Sequence, residues 1–223
     1  MHIEPGVVNG AKILLGTVTA AGSFTLAAKM AFSDARLSGL SALALRSLIA
    51  TGMVLFFFQI LPHHPVGVSE VHLIMGSTIF LLFGAPAAMI ALAAGLALQG
   101  LFFAPLDLPQ YGMNVTSLLV PLYIMSRLAK RIIPAGTPYK DISYKQALVL
   151  STTFQGGIVS WVAFWAFYGQ GFGAENLMLV SSFGLAYMSV VIIEPLADLA
   201  VLALAKNMGR FRGMFDKRVY NPA

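Results

Sequence analysis

Cysteine is absent from the 223 residues. No disulfide and no thiolate metal site is therefore available, and the redox compartment leaves no mark on the sequence. Charge is scarce too: 10% of the residues are Asp, Glu, Lys or Arg, against roughly 25% in an ordinary soluble domain. With 58% hydrophobic residues and a mean hydropathy of +0.80, the chain reads as an integral membrane protein. The phosphate-cradling pattern GxxxxGK[ST] does not occur, so nucleotide energy for any uphill movement must come from another chain. The first ten residues, "MHIEPGVVNG", hold no basic residue, which argues against a cleaved signal peptide. Repeats, low-complexity tracts and long linkers are also lacking. The expectation is a single domain, 1–223, with an outer N-terminal tail (1–10) and a basic cytoplasmic tail (206–223).

A helix needs roughly 20 apolar residues to cross a bilayer. Candidate spans are 11–30, 42–61, 70–85, 86–104, 114–129, 146–168 and 177–205. The third and fourth meet at "FGAPAA", where Gly84 and Pro86 mark a tight turn. The fold class expected is all-α: a polytopic membrane protein of seven transmembrane helices, N-terminus outside and C-terminus in the cytoplasm. Charge supports that orientation, because cytoplasmic loops are enriched in Lys and Arg. The inner side then carries 13 of the 14 basic residues, and only Lys12 lies outside. The net charge of +5 thus belongs to helix ends and not to a nucleic-acid surface.

All four histidines fall on the outer side: His2 in the tail, and His63, His64 and His72 in or beside the loop "PHHPVGVSEVHL". A free terminal X-His dipeptide presents three nitrogens in series, the α-amine of Met1 and the backbone amide and imidazole of His2. Planar peptide geometry favours a nearly flat array of them. Ni(II) and Cu(II) accept such a field, whereas Zn(II) prefers a tetrahedral one. A fourth nitrogen must come from elsewhere, and His72 is the candidate. Methionine is expected to be retained before a residue as large as histidine, and Pro5-Gly6 favours a reversal of the tail. The plain alternative is an ordinary outer tail.

At these residues the sequence resembles the CbiM/NikM family, the substrate-capturing membrane components of energy-coupling factor (ECF) transporters for cobalt and nickel. "MHIEPG" keeps the family's Met-His-Ile and Gly6, with Glu4 and Pro5 in reversed order. "VGVSEVHLIM" and the small-residue run to Gln99 resemble a second block, and "YGMNV" with Asn114 a third; Ser117 stands where the family often has a further Asn. The resemblance covers about residues 1–125. It implies Met1, His2 and His72 as metal ligands and Ni(II) or Co(II) as the transported substrate, with no catalytic cofactor and no enzymatic activity. The metal would serve uses such as cobalamin biosynthesis. Implied partners are a transmembrane coupling subunit, ABC ATPase subunits and a small accessory membrane subunit, in the inner (plasma) membrane and without nucleic acid.

Other polar residues carry weaker expectations. Asn114 either supports the N-terminal loop around the metal or caps a helix. His63 and His64 form an entry relay or a solvated loop, and Glu70 orients His72 or merely flanks the membrane. Asp107 attracts cations or sits at the surface. Glu194 and Asp198, four apart beside Pro195, are intramembrane acids and so functional candidates by default, with Asp198 nearer the inner end. They define the alternative function, a proton-coupled secondary metal-ion transporter. Gly16/Ala20, Thr17/Ala21 and Ala27/Ala31 permit close helix approach, internal or toward a partner. No HExxH spacing supports a membrane-embedded metalloenzyme.

Overall fold

The computed structural model describes residues 3–221, the side chains of 209 and 210 excepted. Met1 and His2, two of the expected ligands, lie outside the described residues. Seven α-helices run in order: α1 Ile13–Ser38, α2 Leu40–Gln59, α3 Gly76–Phe102, α4 Tyr111–Ile132, α5 Tyr144–Gln170, α6 Ala174–Met188 and α7 Glu194–Asn207. Between α2 and α3 stands an antiparallel hairpin, β1 His63–Val66 and β2 Ser69–His72. Five segments are long and apolar enough to cross a membrane: Gly10–Ser38, Leu40–Gln59, Gly76–Phe102, Tyr144–Gln170 and Ala174–Asn207.

The expected spans and the observed helices differ in two places, at the third span and the seventh, and agree on a break at Gly84. The third expected span, 70–85, begins in strand β2, and helix starts only at Gly76. Residues 63–72 are therefore not part of an all-helical chain. At Gly84 (φ 79°, ψ 160°) helix α3 breaks into two arms, 76–83 and 85–102, in a conformation that glycine adopts without a Cβ penalty. The first arm rises only about 12 Å, at 1.5 Å per residue, less than half a bilayer. The seventh expected span, 177–205, is two helices joined through a 3₁₀ turn at Ser189–Ile192. Pro195, lacking an N–H, fits the first turn of α7 and cannot continue a helix from before it.

Contacts along α2 show that the chain reverses at Gly84. Arg46, near the start of α2, donates from Nη1 to the Phe83 carbonyl at 2.9 Å. Val54, two turns on, packs against Gly95, and Phe58, near the end of α2, lies 5.8 Å from the His72 ring. The chain thus descends from His72 to Gly84 and climbs back along α2. Helix α3 forms the middle of the bundle, and most of its residues are buried. On α1, Gly16, Ala20, Ser23 and Ala27 form the buried seam, with Gly16 backed closely onto Gly112 and Met113 of α4. Thr17 and Ala21 are exposed, so the small-residue spacing serves internal packing on one face and leaves the other open.

One end of the bundle gathers the basic residues. Arg46 is buried between Asp34 (from Nη2, 2.5 Å) and Asp216 (from Nη1, 2.9 Å). The Asp216 amide donates to the Leu82 carbonyl at 2.7 Å, so the C-terminal segment straps the Gly84 break. Close by, Arg218 lies 5.0 Å from the centre of the Tyr139 ring, and Lys206 pairs with Asp141 at 3.7 Å. Burial pushes the Tyr139 hydroxyl up to about 12. The opposite end carries the hairpin, the N-terminal segment and the histidines.

Candidate metal centre

The N-terminal segment is held down at several points. Ile3 and Val8 are fully buried, and Ile3 forms an antiparallel bridge with Ser69 of β2. The Glu4 amide donates to the Val68 carbonyl at 3.3 Å. A turn follows at Pro5-Gly6, closed by the Val7 amide on the Glu4 carbonyl at 3.1 Å. Lys12 completes the attachment: its Nζ donates to the carbonyls of Tyr168 (2.9 Å) and Gly169 (3.0 Å) at the C-terminal end of α5. A cation there satisfies terminal carbonyls and meets the negative end of the helix dipole.

Asn114 lies one turn inside α4, whose N-cap position is Gln110. Helix capping is therefore not its role. Its Oδ1 accepts the Ile3 amide at 3.0 Å in a buried bond. The residue that follows His2 is thus tied both to α4 and to the hairpin.

Hairpin register sorts the histidines. His63 pairs opposite His72, and His64 opposite Val71. Side chains alternate along a strand, so His63, Glu70 and His72 share one face and His64 takes the other. The two rings of His63 and His72 are 4.9 Å apart. His72 is buried against Phe58, and its Nε2 lies 3.0 Å from Glu70 Oε2. His63 is exposed, with Nδ1 3.3 Å from the Leu61 carbonyl. His64 is exposed as well. The turn between the strands has two residues, Gly67 and Val68, with Gly67 at φ 62°, as the first position of a primed hairpin turn requires. A Cβ on Gly67 would lie 2.1 Å from the Leu179 carbonyl, so the hairpin tip sits directly on α6.

Three carboxyls surround this end. Burial raises the Glu4 carboxyl above its ordinary range, and the neighbouring Glu70 and Asp107 raise it further. Burial likewise raises Asp107, with repulsion from Glu70 adding to it. These groups feel one another, so the field here is negative and favours a cation. Among the described residues no three His, Asp or Glu side chains converge as a ligand cluster.

Glu194 and Asp198 are both fully buried inside the bundle. They meet Ser77 and Thr78 of α3 and Ser151 and Gln155 of α5. Sequence reasoning missed the hairpin and the Lys12 clamp. The first had a signal in the Gly-X turn flanked by β-branched residues; the second, a contact across 156 positions, had none.

A family model described as "Cobalt uptake substrate-specific transmembrane region" (CbiM) matches residues 2–210. No curated protein and no solved structure matches the chain. The matched region runs from the tail tethered by Asn114 to the last helix, and the chain belongs to the CbiM family of cobalt-uptake membrane components.

Proposed function

We propose that the chain captures Ni(II) or Co(II) on the outer face of the inner membrane, as the substrate component of an ECF transporter. The ligands in this reading are the α-amine of Met1, the backbone amide and imidazole of His2, and the imidazole of His72. One observation carries it: Ile3 is bridged to Ser69 in antiparallel sense and bonded to Asn114. The bridge lays Ile3 alongside β2, the strand that carries Glu70 and His72. Fused chelate rings and a fourth imidazole favour a flat nitrogen field, which suits nickel. Glu70, at 3.0 Å from His72, then orients the ring, as carboxylates do for ligating histidines. In this reading the chain makes seven membrane passes, and the positive-inside rule puts the hairpin end outside and the basic end inside. Coupling and ATPase subunits supply the power stroke, and a small accessory membrane subunit completes the assembly.

Insertion of one alanine between Met1 and His2 keeps every side chain but changes the chelate rings. Purified protein should lose stoichiometric Ni(II) and Co(II) binding, with unchanged helicity. Retained stoichiometry would refute the terminal site. The competing function, proton-coupled secondary transport through Glu194 and Asp198, predicts uptake into proteoliposomes that contain this chain alone and a pH gradient. The capture reading predicts none.

A further inference from the structure

Glu194 and Asp198 stand one helical turn apart on α7, both 0% exposed. Asp198 accepts from Ser77 Oγ at 2.7 Å and from Thr78 Oγ1, both on the first arm of α3. Glu194 Oε2 accepts from Ser151 Oγ at 2.5 Å and from Gln155 Nε2 at 2.7 Å, both on α5. Tyr187 of α6 is the further titratable group facing the pair, and it too is fully buried. Among the described residues no Lys, Arg or His forms an ion pair with either carboxyl. Two bare carboxylates without a counter-cation are not sustainable inside a bilayer, where even one isolated charge is costly. Of their four oxygens, Glu194 Oε1 is the one without a hydrogen bond of ordinary geometry, and the hydroxyl and amide of Ser77 lie close to the same carboxyl.

The partners of Asp198 have a second significance. Ser77 and Thr78 follow His72 by five and six residues in one continuous, largely buried run. Between them Met75 adopts a left-handed conformation, φ 56°, at the entry to the helix. Such a conformation in a non-glycine residue persists only where its surroundings over-determine it. Strand β2 fixes one side of Met75, and the hydroxyl–Asp198 bonds fix the other.

We propose that Glu194 and Asp198 form a proton-holding pair, with the proton on Glu194 Oε1, which anchors the Ser77–Thr78 turn and thereby positions His72. The role of His72 as a metal ligand is taken from the reading above; the anchor itself is a statement about α3 and α7. Asp198 is a positioning residue that acts through Ser77 and Thr78.

Two measurements on the full chain in lipid nanodiscs test this. Infrared difference spectra at neutral pH should show the carbonyl stretch of a protonated carboxylic acid, absent in Glu194→Gln and present in Asp198→Asn. If the wild-type band is missing in sodium buffer and emerges only on sodium removal, the pair binds a monovalent cation and the proposal is overturned. Hydrogen exchange of the 73–78 amides should accelerate in Asp198→Leu and stay near wild type in Asp198→Asn, which keeps an acceptor. In parallel, Ni(II) affinity should fall by about tenfold or more in Asp198→Leu and by less than about threefold in Asp198→Asn. Unaltered exchange in Asp198→Leu refutes the anchor. If that variant does not fold, Thr78→Val removes one bond alone and should give the same direction with smaller amplitude; no change there counts against the anchor equally. His72→Ala separates the two ideas. Undiminished Ni(II) binding in that variant sinks the ligand assignment, while exchange and infrared data still decide the anchor.

Discussion

The Ile3 amide donates to Asn114 Oδ1 at 3.0 Å, and the bond is buried at both ends. It fastens the residue after His2 to helix α4. Asn114→Leu keeps the volume but leaves the amide without an acceptor. An unsatisfied buried donor costs about 1–3 kcal/mol, which corresponds to roughly 5- to 150-fold in metal affinity if it falls on the bound geometry. Calorimetric Ni(II) titration should show a loss in that range, with the helical circular dichroism unchanged. Wild-type affinity would mean that the tail is positioned by the hairpin bridge alone.

The two adjacent histidines of β1 should behave differently. His63 faces His72 across the strands, whereas His64 points to the other face. His63→Ala removes a ring 4.9 Å from the His72 ring and should weaken binding by about threefold, the scale of one cross-strand pair. His64→Ala should match wild type. Equal effects would argue for an entry path along both faces.

Much of the architecture was legible in the sequence, because long apolar runs leave few alternatives inside a bilayer. The break at Gly84 was legible from glycine and proline in a run too long for one helix. The hairpin was not: "HHPVGVSEVH" merges into the apolar run after it, and its register depends on the Ile3 bridge and on α6 beneath the tip. The break at 189–193 was hidden for the opposite reason, since the run "VVII" after Ser189 is apolar throughout and gives no sign of a 3₁₀ turn. The burial of Asp198 was also illegible, because it is set by the Ser77 and Thr78 hydroxyls of α3, at least 120 positions away in the chain.

Gly67 tests the seating of the hairpin. Its positive φ alone costs a residue with a Cβ about 1–2 kcal/mol, and the added methyl would meet the Leu179 carbonyl at 2.1 Å. Gly67→Ala should lift the tip from α6 and lower Ni(II) affinity by about tenfold or more. Exchange should rise in 63–72 while α3 to α5 stay protected. Global loss of protection would instead make the hairpin part of the folding core.

The carboxyls at the hairpin end give a pH dependence with a definite sign. Burial, then repulsion among neighbours, holds Glu4 and Asp107 above their ordinary values in the folded protein. A raised acid binds more protons folded than unfolded, so stability falls as pH climbs from the unfolded value through the folded one. The metal-free protein should therefore melt at a lower temperature near neutrality than just above pH 4, the ordinary carboxylate range. Asp107→Asn should flatten that slope, because it removes one titrating group and relieves Glu4. Saturating Ni(II) should flatten it as well, since a cation at this end offsets the repulsion. A slope of the same size in Asp107→Asn would place its origin elsewhere in the chain.

At the opposite end, Arg46 is 3% exposed and bonded to Asp34, Asp216 and the Phe83 carbonyl. Removing one partner of a buried ion pair typically costs about 3–5 kcal/mol, because the other charge remains buried. Asp34 and Asp216 are partly exposed, and water recovers some of that loss, so Arg46→Met should cost about 2–3 kcal/mol by denaturant titration in detergent. Asp216→Asn keeps an acceptor for Arg46 and leaves the backbone bond from its amide to Leu82 in place, so it should cost about 1 kcal/mol or less. Deleting 209–223 removes both contacts and leaves the Leu82 carbonyl at the Gly84 break without its donor. Exchange should then accelerate in 80–86 ahead of the rest of α3. If the truncated chain keeps wild-type protection there, Arg46 and Asp34 suffice to hold the break and the C-terminal strap is dispensable for it.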